Sequence, residues 1–172
     1  FYVHRFSGVE SEPPEQLALI KSLCRSWGIR LIGVDYGGGF YQNDELVRSF
    51  GPVRVHKYQY LAPARKVTWD DRLRRWLVHR SEVMSDVFNA IKRGNVFRFP
   101  KFEEFEDPYA KDMLNIFSEY NEHRRCNEYK RSPGSTDDTF HSIVYCFLVS
   151  MIDRPRPDVI APQRNSPTDG HE

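Results

Sequence analysis

Aspartates, one histidine and a run of glycines are the residues whose types and spacing could do chemistry. Asp35 ends the apolar run IRLIGVD and is followed by Tyr36 and then Gly37, Gly38 and Gly39. A carboxylate at the C-terminal end of a buried strand stands where α/β sheets gather ligands and catalytic groups. Glycines beside it let a backbone or a phosphate come close. The same aspartate could equally cap the turn by binding nearby amides. The second acidic segment is SPGSTDDTFHS, in which Asp137 and Asp138 precede an apolar stripe and His141 lies four residues after Asp137. On a helix, residues four apart share a face. Paired acids with a histidine one turn on could hold a divalent metal, or hold a metal and orient a water. Ser135 with Asp138 also fits a capping box, and acids in a first turn complement the helix dipole. That alternative uses only one of the two acids.

The elements that must position these groups follow from apolar periodicity. Phe1–Phe6 alternates large apolar and polar groups, a strand pattern. Leu17, Ile20, Leu23, Cys24 and Trp27 recur at helical spacing over Glu15–Trp27, with Gly28 as the stop. A strand, a helix and the strand ending in Asp35 would make a βαβ unit with parallel strands. A short helix over Asn43–Phe50 is predicted next, then a strand over VRVHKYQYL. KVTWDDRLRRWLVHR is ambiguous, with RWLVHR extended. SEVMSDVFNAIKRG predicts a helix stopped by Gly94, and NVFRFP a short strand ended by Pro100. Tyr109, Met113, Ile116, Phe117 and Tyr120 predict an amphipathic helix from Asp107 to about Glu122. A last helix opens at Ser135 and carries Phe140, Ile143, Val144, Phe147, Leu148 and Met151 as its stripe. Together these predict an α/β domain with a mixed sheet flanked by helices over residues 1–152. Residues 153–172 hold many prolines and few large apolar side chains, the composition of a flexible tail.

Bulk properties narrow the class. A length of 172 residues favours one domain with room for a core. The net charge is +1, so any nucleic-acid site must be a local basic patch. Basic residues cluster at Arg72, Arg74, Arg75 and Arg80 around Trp69 and Trp76, at Lys92 and Arg93, and at Arg124, Arg125, Lys130 and Arg131. Each cluster could grip phosphates without reading sequence, or be a solvated face. Arg80, after an apolar strand and directly before a helix, is the preferred phosphate contact. Cys24, Cys126 and Cys146 are odd in number and form no CxxC pair. This argues against a zinc site or a disulfide framework and for a reducing compartment. No apolar stretch reaches the roughly 18–20 residues that span a membrane, and no signal peptide is visible. No GxxxxGK[ST] phosphate loop is present, so no ATP site is expected. No Ser-His-Asp or Cys-His set is suggested either, since Cys24 and Cys146 lie on apolar helix faces.

The wording of several segments is more specific than their spacing. RLIGVDYGGGF, RSEVMSDVFNAIKRG, FRFPKFEEF, DMLNIFSEYNE and PGSTDDTFHSIVYCFLVSM occur in the order found in the nuclease half of bacteriophage terminase large subunits. The chain resembles that family over about residues 1–155, most specifically in the DD-x-x-H segment. The resemblance implies an RNase H-like fold and cleavage of concatemeric double-stranded DNA. Two Mg²⁺ or Mn²⁺ ions would supply the chemistry. It implies Asp35 as the second metal-binding acid and Asp137 as the third, with Asp138 and His141 close to it, Asp35 and Asp137 being catalytic. DNA contacts would come from Arg80, Arg74, Arg75, Lys92 and Arg93. The family's first acid lies on an opening strand, and here Phe1–Phe6 would be the third strand. The chain is therefore expected to be a fragment whose first acid and ATPase motor lie upstream, and to bind metal weakly and cut poorly by itself. Portal protein and small terminase subunit would be partners, in the cytoplasm of a bacterial host. Other expectations are an RNase H-like transposase or resolvase, and a non-catalytic docking module.

Overall fold

The structure, a computed structural model, describes residues 12–63, 65–123 and 125–152. The strand expected at Phe1–Phe6, Arg124 and the segment from 153 onward lie outside the described residues.

Helix α1 spans Pro13–Ser26. Its two prolines, Pro13 and Pro14, sit in the first turn, where the missing N–H groups cost no helical bond. Gly28, at φ +58°, ends it. Strand β1 is Ile32–Asp35, helix α2 is Phe40–Phe50 and strand β2 is Val55–Leu61. The α2 crossover makes β1 and β2 parallel, with Asp35 opposite Tyr58. Strand β3 (Val67–Asp70) and strand β4 (Arg75–His79) form a hairpin, and β4 inserts beside β2, parallel to it. The sheet order is β1-β2-β4-β3. Helix α3 spans Arg80–Arg93, and Gly94 at φ +67° caps it. The short helix α4 (Phe102–Phe105), a π-turn over Glu106–Ala110 and the short helix α5 (Lys111–Leu114) follow. Strands β5 (Ile116–Asn121) and β6 (Cys126–Arg131) form a separate antiparallel pair, and helix α6 (Asp138–Ile152) closes the described chain.

The mixed sheet flanked by helices is as the periodicity implies. Alternation along β2 divides the core. Val55 joins Leu17 of α1 and Leu46 of α2. Tyr58 joins Val78, Val83 and Val87 with Phe140 and Val144 of α6 on the other face. Helix α6 lies very close to β1, because a Cβ on Gly33 would stand 2.8 Å from the Tyr145 carbonyl oxygen. Glycine in this strand is thus a condition of the packing.

Two expected elements are not formed. NVFRFP is irregular rather than a strand, and buried Phe97 plugs against Phe147 of α6 at 6.0 Å between ring centroids. The helix expected from Asp107 to about Glu122 breaks at both ends. Asp107 has φ −114° and ψ 125°, outside the helical region; it precedes Pro108, whose ring disfavours the helical conformation in the residue before it. From Ile116 on, pairing with β6 takes the backbone hydrogen bonds. The last helix starts at Asp138, not Ser135, whose hydroxyl donates to the Ser132 carbonyl at 2.6 Å.

Candidate active site

Asp35 is the last residue of β1, and its neighbours in space come from α6 and the tip of α2. Its carbonyl accepts from the Asn43 side-chain amide at 2.7 Å, fixing the turn into α2. Its carboxylate accepts from the Tyr145 hydroxyl through Oδ1 at 3.1 Å. The other oxygen faces bare glycine, since a Cβ on Gly38 would sit 3.0 Å from Oδ2. The carboxylate is therefore held by a tyrosine from α6, and the glycine run leaves its second oxygen approachable.

Asp137 sits just before α6, and only 7% of its surface is exposed. His141 Nε2 lies 3.0 Å from its Oδ2. Arg80 Nη2 is 3.7 Å from Oδ2, and Arg131 Nη1 is 3.4 Å from Oδ1. The other ring nitrogen of His141, Nδ1, is 2.8 Å from the Tyr60 hydroxyl of β2. The tautomer consistent with these contacts has Nε2–H donating to Asp137 and Nδ1 accepting from Tyr60. Burial pushes the His141 pKa down, against the opposing pull of the Asp137 carboxylate, which favours this neutral form.

The Tyr60 and Tyr145 rings stack, with their centroids 5.9 Å apart. Burial raises the pKa of both phenols well above the ordinary tyrosine value. They stay protonated and neutral at any physiological pH. Three hydrogen bonds and one ring stack thus join the two acids in the order Asp35, Tyr145, Tyr60, His141, Asp137. His141 and Tyr145 follow Asp137 at steps of four residues on the first turns of α6, and Tyr60 comes from β2.

Asp35, Asp137 and His141 are brought to one edge of the sheet, and Arg80 and Arg131 join them. Asp138 is exposed in the first turn of α6, where its carbonyl accepts from Ser142. Arg75 is held on the opposite side of β4, bonded to Asp70 at 3.2 Å and lying 4.5 Å over the Tyr36 ring. Arg74 occupies the β3–β4 turn, and Lys92 and Arg93 end α3. No contact joins these last three to Asp35 or Asp137 among the described residues. Tyr60 and Tyr145 were not singled out by sequence reasoning. The four-residue spacing from His141 was a signal for Tyr145. Tyr60 had none, because its place depends on strand register.

Among the described residues no three His, Cys, Asp or Glu side chains converge to hold a metal ion. The carboxylates supply oxygen donors that suit Mg²⁺ or Mn²⁺. Asp35 Oδ2 and Asp138 are the more open of them, whereas Asp137 is already neutralised by two guanidinium groups. A further carboxylate is needed to complete such a centre. No helix among the described residues is long and apolar enough to cross a membrane. Comparison with protein-family models, with curated proteins and with solved structures returned no match.

Proposed function

We propose that the chain is the greater part of a metal-dependent DNA nuclease domain of the terminase large-subunit type, with an RNase H-like arrangement. The supporting observation is the gathering of Asp35 and Asp137, far apart in sequence, at one sheet edge and their connection through Tyr145, Tyr60 and His141. Asp35, Asp137 and Asp138 would bind the ions. When bound, Mg²⁺ or Mn²⁺ supplies an activated water and neutralises the leaving oxygen of the phosphodiester. His141 and Tyr60 orient the Asp137 carboxylate, the role that partners of metal ligands commonly play. Arg80 and Arg131 flank the same edge and offer cations to a DNA phosphate. The missing carboxylate would come from a strand added to β1, which is an edge strand among the described residues.

The decisive experiment is nicking of supercoiled plasmid in Mn²⁺. In the parent protein Asp137→Ala is expected to abolish cleavage while the circular dichroism spectrum is unchanged. Cleavage that survives this change but not Asp138→Ala moves the ligand role to Asp138. Cleavage that survives both, and Asp35→Asn, ends the nuclease reading at this edge. The chain alone is expected to bind Mn²⁺ weakly and nick poorly; robust nicking by it would overturn the place given to Asp35 as second acid. The ion pairs from Arg80 and Arg131 to Asp137 favour a second reading, a purely structural polar cluster. On that reading Asp137→Ala lowers stability and leaves any cleavage by the parent intact.

A further inference from the structure

A cavity of about 380 Å³ opens between the segment 97–109 and α6. Its walls are largely aromatic. Phe99 lies 5.1 Å from Phe105, and Phe105 stacks on Tyr109 at 5.6 Å and 19°. Phe97 stacks on Phe99 at 6.2 Å, Pro100 lines the mouth, and Ile143 of α6 contributes from the helix side. Phe99 stays 38% exposed and Phe102 beside it 57%, so apolar rings meet solvent here. A cavity walled by aromatic rings is what an extended proline-rich segment docks against, since its helix is already ordered before it binds. The rim carries charge of both signs: Glu104 and Arg98 line the cavity, and Glu103 is exposed next to Glu104.

The chain itself contains a matching sequence. Residues 154–162 read RPRPDVIAP, with three prolines, Arg154 and Arg156 before Asp158, and two branched apolar residues. The two arginines complement Glu103 and Glu104, and Asp158 complements Arg98. The reach is sufficient. Ile143 lies nine residues before the end of α6 at Ile152, roughly 14 Å along a helix. Proline-rich chain covers about 3.1 Å per residue, so a segment as long as 153–162 has a reach of roughly 30 Å. That length lets the segment turn back beside α6 and lie across the groove. We propose that this aromatic groove is the docking site of the chain's own proline-rich segment, residues 154–162.

The test uses the full chain and the aromatic ¹H–¹³C NMR signals of Phe99, Phe105, Tyr109, Trp69 and Trp76. Pro155→Gly with Pro157→Gly is expected to shift the Phe99, Phe105 and Tyr109 signals and leave the two tryptophans unmoved. A circular dichroism spectrum that matches the parent's shows that the double change leaves the fold intact. The shift should be the same over a tenfold dilution. Glu104→Lys is expected to abolish the difference between the proline variant and its parent, and adding Arg156→Glu to restore it. No ring shift overturns the proposal, as does a shift confined to the tryptophans. A shift that fades on dilution also overturns it, because the occupant is then a second copy's segment.

Discussion

The acidic positions differ in what holds them. Asp35 is held by one phenol. Hydrogen bonds to a charged group contribute roughly 1.5–3 kcal/mol, so Tyr145→Phe should lower stability by about that much in urea titration. An unchanged midpoint would show that the hydroxyl does not bind Asp35 in solution. His56 offers a cleaner acid–base case away from the candidate site. Its Nδ1 accepts from the Trp76 indole N–H at 3.2 Å, which requires a lone pair there. Burial lowers its pKa, with the Val53 carbonyl opposing. A histidine with a depressed folded pKa is protonated more readily when unfolded. Stability should therefore be full above the ordinary histidine value, about 6.5, and fall as pH drops below it. His56→Asn should flatten that slope between pH 7.5 and 5.5, leaving the share that belongs to buried His141. A slope identical to the parent's would place His56 outside the linkage. Asp35 and Asp137, the acids of the proposed site, could be singled out because aspartate at a strand end and before a helix is a sequence-local pattern. The tyrosines between them were not, because Tyr60 reaches His141 only through the pairing of β2 with its neighbours and the seat of α6 across β1.

At the scale of elements, helices with clean stripes and glycine stops could be read directly. Gly28 and Gly94 end α1 and α3 where the periodicity ends. The hairpins could not. Both the β3–β4 turn and the β5–β6 turn place an arginine at positive φ: Arg74 and Arg125, each at 49°. Glycine or asparagine usually marks such positions, and without that mark KVTWDDRLRRWLVHR stayed ambiguous and β5 was taken into a helix. The start of α6 was misread for a related reason. Its cap comes from far along the chain, for Asp112 Oδ2 accepts from the Thr139 backbone N–H at 2.6 Å and its other oxygen binds the Thr136 hydroxyl. Asp112 is 3% exposed. Asp112→Ala should cost about 1–2 kcal/mol, the upper range for losing a cap. Ser135→Ala, which removes only a hydroxyl bound to the Ser132 carbonyl, should cost less than Asp112→Ala. The reverse order in thermal unfolding would return the cap to Ser135. Gly33 fixes the other contact of α6. Gly33→Ala forces a methyl against the Tyr145 carbonyl, an overpacking that costs about 1–3 kcal/mol, and since α6 carries His141 and starts directly after Asp137, any shift of the helix is transmitted to the site.

For the molecule as a whole, charge decides where DNA could run. A net charge of +1 gives no general attraction to a polyanion, so on the proposed reading DNA affinity must come from a few positioned cations. Helix α3 separates two of the basic groups, with Arg80 at its first residue and Lys92 and Arg93 in its last turn. Fourteen residues of helix span roughly 20 Å, or about six base pairs of duplex. Arg80 stands beside Asp137 and over the Tyr60 ring, at the edge where a scissile phosphate would lie. Removing one phosphate contact reduces the slope of log affinity against log salt by about one. Arg80→Gln should therefore lower that slope by about one for duplex DNA between 50 and 200 mM salt, values that bracket the usual range. Joint replacement of Lys92 and Arg93 by Gln should leave the slope nearly unchanged. A control for Arg80 is the urea midpoint, because this side chain also neutralises Asp137 and its loss would lower stability without touching DNA. If Lys92 and Arg93 carry the slope and Arg80 does not, the duplex passes the far end of α3, and the edge holding Asp35 and Asp137 is not where the backbone is presented.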